Sequence, residues 1–354
     1  MLKCLPSVYV IGNDYEICFM TKKNGISYVN VAGKRYDEEN SGVLFSEKNY
    51  YKIRIPQKVL DKHKKYEIVY IGNVNRQTYF TKGAEPQTYV FNFKPITKTE
   101  DINVYHLADV HQKFELAKKS VTLFKNDLDL LVINGDIAEV TTTKDYYDVY
   151  KFVGELSKGE IPVIFVRGNH DCRGKLAEKF TDYFPCNGKK LYYDFKVGPL
   201  KGVVVDCGED KVDFMVSYGP TNHFTPYRKE QTKFLKKLKG DYFFAIGHVC
   251  PTHTTNTKGS EFDIERDIYK EWTDILQKLN IKFFLTGHFH RERLIPANSG
   301  ITTIPNPYPI LVGSGLYDKE NIVISTAMTI KKDCTEVIFT ASDNTASEKQ
   351  IIMH

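Results

Sequence analysis

From Ile102 onward, short apolar runs alternate with longer stretches in which apolar residues recur every three or four positions. The runs are "INVYHLA", "DLLVIN", "PVIFVR", "GVVVD", "YFFAI" and "KFFLT". Their length and continuity predict strands buried on both faces. The stretches between them, near residues 112 to 127, 144 to 158, 174 to 184, 227 to 239 and 265 to 280, predict amphipathic helices. This alternation is the signature of a layered α/β domain. A β-rich tail follows, with "YPILVGSG", "NIVIST" and "TEVIFTA". Before Ile102 the texture differs. "SVYVIG", "EICFMT", "ISYVNVAG", "YYKIRIP", "YEIVYIG" and "TYVFNFKP" are strand-length, and several alternate polar with apolar residues. They predict a smaller all-β sandwich over residues 1–97, joined through "FKPITKTEDIN" to an α/β domain over residues 98–354.

In α/β sheets, chemistry gathers beyond the carboxyl ends of the strands. Five of the six apolar runs end in side chains able to hold a metal. The tips are Asp109-Val110-His111, Gly135-Asp136, Gly168-Asn169-His170-Asp171, Gly247-His248 and Gly287-His288-Phe289-His290. Four tips carry a glycine just before the polar residue, where it lets the backbone turn tightly. In the last tip, His288 and His290 are two positions apart, so an extended chain points both to one side. A single such tip is weak evidence; five in one domain are strong.

Composition narrows the class without adding to the chemistry. The 354 residues are 42% hydrophobic, with 49 basic and 44 acidic residues, a net charge of +5. This suits a globular protein and neither demands nor excludes an acidic partner. No apolar run reaches the ~18 residues that span a bilayer, and the first residues do not read as a signal peptide. Seven scattered cysteines, with no C-x-x-C, predict buried thiols in a reducing cytoplasm.

Oxygen and imidazole donors without thiolates suit Mn, Fe or Zn. Asp109, His111, Asp136, Asn169, His248, His288 and His290 are too many for one tetrahedral ion and suit two divalent ions. A pair of ions favours displacement at phosphorus, with a bridging water becoming hydroxide near neutral pH. His170, beside Asn169, is then left to protonate the leaving oxygen.

Read in order as DVH, GD, GNHD, GH and GHFH, residues 109 to 290 resemble the calcineurin-like metallophosphoesterases. The resemblance implies two β-sheets flanked by helices, with the ions at one sheet edge. It implies one ion on Asp109, His111 and His290, the other on Asn169, His248 and His288, and Asp136 between them. It also implies His170 at the leaving group, with Asp171 orienting it. Purple acid phosphatases in this family carry a tyrosine three residues after the bridging aspartate. Here Glu139 stands there, which disfavours an iron–tyrosinate centre. The N-terminal β region resembles, in texture only, the fibronectin-like domain that precedes some phosphoesterase domains.

Arg167, Arg173, His253, His223 and Tyr227 are candidates for holding substrate, each against the plainer reading of a surface or supporting residue. His106, inside a strand, reads as a core histidine. The function expected is hydrolysis of a phosphomonoester or phosphodiester. The alternatives are a non-catalytic metal-binding scaffold, a nuclease-type phosphodiesterase, or another metallohydrolase. Nucleic acid is disfavoured because no dense basic stripe interleaved with aromatics appears. No H-E-x-x-H or G-x-S-x-G stands in the chain to support amide or ester hydrolysis.

Overall fold

The computed structural model describes residues 1–252, 258–313, 315–317, 319 and 321–354. All six apolar runs are strands. Ile102–Leu107, Leu130–Asn134 and Pro162–Val166 lie side by side and parallel in one sheet. Leu200–Val204, Phe244–Ile246 and Phe283–Thr286 do the same in a second, six-stranded sheet, with Ile310–Val312 continuing it.

The continuity of these runs follows from their being covered on both sides. Val104, Val132 and Ile164 of the first sheet meet Val204, Phe244 and Leu285 of the second in a shared core. The alternate residues Tyr105, Leu131, Ile133 and Val163 face a helical layer that includes Thr143–Ser157. On the far side, Val203, Ala245 and Phe284 pack under Phe224–Leu235 and Arg266–Lys278. In the latter helix Tyr269, Trp272 and Leu276 are buried, three and four residues apart, as one apolar stripe requires. The result is helix, sheet, sheet, helix.

The helix expected at 174 to 184 is only a short 3₁₀ turn, Ala177–Lys179, followed by one helical turn, Phe180–Tyr183. The sequence pattern does not announce several further elements, among them the helix Gln57–His63 and the strands Tyr193–Val197, Arg293–Ile295 and Gln350–Met353.

The N-terminal strands are hydrogen-bonded into the first sheet. Ser7–Ile11 runs parallel to Pro162–Val166, pairing Val8 with Pro162 and Tyr9 with Val163. Its other edge pairs antiparallel with Asp14–Val31, a single long strand that merges two of the expected runs. Lys48–Pro56, Lys65–Gly72 and Gln87–Asn92 extend the same sheet. Val8, Ile17, Ile53 and Ile68 therefore share the core with Val132 and Leu285. Sheet hydrogen bonding runs unbroken across the boundary expected at residue 97. No helix among the described residues is long and apolar enough to cross a membrane.

Candidate metal centre

Five parallel strands deliver their tips to one edge of the double sheet. Asp109 follows Leu107, Asp136 follows Asn134, Asn169 follows Val166, His248 follows Ile246, and His288 and His290 follow Thr286. The glycines before four of these tips act mainly by letting backbones approach closely. Only Gly135 has a positive φ, of 77°. A Cβ on Gly168 would lie 2.1 Å from Asp136 Oδ1, and one on Gly287 would lie 2.8 Å from Asp109 Oδ2. The left-handed conformation falls instead on the donors: Asp109, His111, Asp136, His288 and His290 have φ between 43° and 72°. Such strain in non-glycine residues costs about 1–3 kcal/mol each and collects at functional sites.

The donors converge. His248 Nε2 is 3.2 Å from Asp136 Oδ2 and 3.5 Å from Asp109 Oδ1. His290 Nε2 is 3.5 Å from Asp109 Oδ1 and 3.1 Å from His111 Nε2. Asp136 Oδ2 is also 4.0 Å from His111 Nε2. Two groups of three residues can each hold an ion, Asp109–His111–His290 and Asp109–Asp136–His248. Asp109 is thus common to both groups, while Asp136 Oδ2 lies within reach of a histidine from each. Asn169 joins through His288, whose Nδ1 is 3.1 Å from Asn169 Oδ1. All seven residues expected as ligands therefore meet at one place.

The neighbours fix which atoms point inward. His248 Nδ1 donates to the Asn134 carbonyl at 2.6 Å, which leaves Nε2 as the free donor atom. The His288 amide donates to both oxygens of Asp109. The His170 amide donates to Asp136 Oδ1 at 2.8 Å. Asp109 and Asp136 are buried, with Asp109 fully enclosed.

Burial pushes the Asp109 carboxyl up to about 6, partly countered by His248. Burial also opposes ionisation of Asp136, yet His248, His170 and His111 hold it well below the usual carboxylate range. Burial alone would depress His248, but the carboxylates of Asp136 and Asp109 raise it to about 10. Burial lowers His111 to about 4 and His288 to about 3, so both stay neutral near pH 7.

This donor set fits divalent ions. The Asn169 side-chain amide lies within 3.1 to 3.3 Å of His288 Nδ1, His248 Nε2 and Asp136 Oδ2, so its nitrogen can donate to these groups or, turned over, its oxygen can face a cation among them.

A cavity of ≈ 420 Å³ lies over the donors, lined by Asp136, Asn169, His170, His288 and His290 on one side. Arg173 also lines it, with Nη1 3.3 Å from His170 Nε2. Asp171 corrects an expectation. Its carboxylate accepts from the Gly168 and Asp136 amides at 2.8 and 3.1 Å. It therefore ties two tips together and does not orient the His170 imidazole. Arg173, the group that meets that imidazole, is held by Glu209 at 2.5 and 2.8 Å and by Asp210 at 3.2 Å.

Glu209 and Asp210 went unread in the sequence. They follow Leu200–Val204 in the stretch "DCGED", whose carboxylates stand without a histidine beside them. Asp210 Oδ2 also stands 3.8 Å from His288 Nε2. Arg228, fully buried, holds this segment by donating to the carbonyls of Cys207 and Glu209.

The remaining candidates lie elsewhere. Arg167 pairs with Asp206 at 2.6 Å, and the Tyr227 hydroxyl donates to the same carboxylate at 2.8 Å. Neither lines the cavity. His223 is exposed at the start of Phe224–Leu235, and His253 lies outside the described residues. His106 is fully buried and bonds Asn134 Nδ2 at 3.0 Å, as a core histidine does.

Two stacked sheets wrapped in helices, with imidazoles and carboxylates gathered at one strand-end edge, define a metal-dependent hydrolase architecture. The sequence model of the calcineurin-like phosphoesterases matches residues 102–292, more than half of the chain. The chain belongs to that family and is a phosphoric ester hydrolase. A probable cyclic nucleotide phosphodiesterase of Fibrobacter succinogenes is 24% identical over 211 residues, 57% of this chain and 76% of that protein. Among solved structures, a purple acid phosphatase from yellow lupin seeds superposes with a TM-score of 0.58 at 12% identity, over 98% of this chain and 74% of its own. PhoD gives 0.56 at 12% identity, over 99% and 88%. At such identities the two structures share the fold.

Proposed function

We propose that the chain hydrolyses small phosphate esters with two divalent ions. Asp109, His111 and His290 would hold one, Asn169, His248 and His288 the other, and Asp136 would serve both. The observation that carries this reading is the meeting of two imidazole–carboxylate groups through buried carboxylates no more than 4.0 Å from histidines of both groups. Bound ions would supply Lewis acidity toward phosphate oxygens and a hydroxide nucleophile at neutral pH.

The chain's own residues do the rest. Asp136 and Asp109 balance the positive charge in a buried place. His170, on the rim of the cavity, gives its proton to the leaving oxygen. Arg173, pinned by Glu209 and Asp210, offers its fork of donors to phosphate and keeps His170 in place. Mn, Fe and Zn all suit these donors. The relative's name favours a phosphodiester, so we put the diester before the monoester. The seven cysteines are unpaired, which suits action in the reducing cytoplasm.

The test is turnover of bis(p-nitrophenyl) phosphate and p-nitrophenyl phosphate by the full chain supplied with Mn, Fe or Zn, beside metal analysis. Turnover that needs metal, at a stoichiometry of two, is expected. Two bound ions with both esters left intact would favour a scaffold.

A further inference from the structure

The same cavity has an apolar part of its lining that the proposed chemistry does not use. Val249 and Cys250 directly follow His248, and Phe289 stands between His288 and His290. Phe262 and Ile264 complete the wall. The loops that bring the donors therefore also bring this surface. Phe289 packs partly on the core beneath, its ring centroid 5.5 Å from that of His288. Phe262 is half-buried, with Lys211 Nζ 4.4 Å from its ring centre.

Among the described residues, the polar groups on this part of the lining are Lys211, Asp210 and the Tyr269 hydroxyl, and Lys211 and Asp210 engage each other at 3.2 Å. A leaving group rich in hydroxyls would bring polar atoms against a surface with few partners for them. A flat apolar group would displace water from the wall and find ring faces to stack on. The volume, ≈ 420 Å³, falls in the range of small-molecule sites.

The geometry points to a leaving-group subsite, built by Phe262, Phe289, Val249 and Ile264, that takes the ring of an aromatic phosphate ester, whether an aryl alcohol or a nucleobase-bearing one. This rests on the hydrolase reading above and adds the substrate class.

The experiment is calorimetric binding of phenylphosphonate and methylphosphonate to the Mn-loaded full chain, beside turnover of p-nitrophenyl phosphate, bis(p-nitrophenyl) phosphate, a nucleoside p-nitrophenyl diester and glycerol phosphate. Phenylphosphonate should bind about tenfold or more tightly than methylphosphonate. Phe262→Ala should bring that ratio close to one, Phe262→Trp should keep it, and Phe289→Leu should reduce it. The nucleoside and aryl diesters separate the two sources of the ring. A ratio near one in the unaltered protein, or one unmoved by Phe262→Ala and Phe289→Leu, overturns the subsite. A protein that prefers phenylphosphonate yet cleaves no ester keeps the subsite and loses the hydrolase reading. One that cleaves esters without ring preference does the reverse.

Discussion

His111 and His290, 179 residues apart in sequence, meet Nε2 to Nε2 at 3.1 Å. Two neutral imidazoles can satisfy such a contact only if one carries its proton at that nitrogen. A cation between them satisfies both lone pairs at once. His288, two residues from His290, faces Asn169 on the other side of the centre. The tip is not extended, since His288 and His290 both have positive φ, and its two histidines turn to different partners, which on the proposed reading hold different ions. His290→Ala and His288→Ala should each lower bound metal from two ions toward one. Metal analysis after gel filtration checks this, and full stoichiometry in either variant would refute the assignment.

Asp136→Asn removes a buried negative charge that lies within 4.0 Å of His111, His170 and His248. Support residues around metal ligands already cost about 10–100-fold in metal affinity when lost, and a ligand should cost at least that. Metal titration should show both ions weakened. Unchanged affinity for either would mean that this carboxylate serves one site alone.

His170→Ala should behave differently. Its side chain is 42% exposed on the cavity rim, and its main contact with the donors is through its backbone amide. Metal content should stay at two while kcat falls by roughly 10²–10⁴. The loss should shrink for substrates whose leaving group needs no proton, such as p-nitrophenolate. Loss of metal in this variant would place His170 among the ligands.

Proton release should accompany metal loading. In the chelated protein, His248 holds a proton between Asp136 and Asp109, with its pKa raised to about 10 from 6.5. That proton adds stability that is fully present below 6.5 and is lost as pH rises through about 10. An incoming cation must displace it, so metal affinity should climb with pH across the neutral range. Calorimetry of Mn binding in buffers of different ionisation enthalpy at pH 7.5 should register at least one proton released. Zero release would contradict a protonated His248.

Gly168→Ala should show that the glycine is required for space. Its φ is ordinary, so backbone strain gives no reason against a side chain. The new Cβ would fall 2.1 Å from Asp136 Oδ1 and 2.4 Å from the Asp136 amide nitrogen. Overpacking of this kind costs about 1–3 kcal/mol, and here it pushes directly on a ligand. Denaturant unfolding should record the stability loss and metal titration a weakened site. Wild-type affinity would mean that the loop yields freely.

The five tips were legible because each interrupts an apolar run with a residue that burial normally excludes. The same logic should have flagged Glu209 and Asp210, but carboxylates in a polar segment look solvated until a partner such as Arg173 is seen. Asp171 differs from expectation for a related reason. Adjacency to His170 suggested contact, whereas in the turn at residues 170–172 its carboxylate points back to the Gly168 and Asp136 amides. The N-terminal strands were legible as strands but not in their pairing. Alternation tells which face of a strand is covered, and says nothing of which neighbour lies beside it. That Tyr9 pairs with Val163 is a contact across most of the first half of the chain.

This pairing has a bearing on how the protein is made. Ser7–Ile11 leaves the ribosome long before Pro162–Val166 and can zip at once to the Asp14–Val31 strand, yet its other edge stays bare until residue 166 has emerged. A fragment begun at residue 98 would have the opposite defect. Pro162–Val166, which leads straight into Asn169 and His170, would become a raw margin open to self-association. Ser7–Ile11 thus acts as a selvedge for the catalytic half, sealing the strand on which its chemistry is mounted.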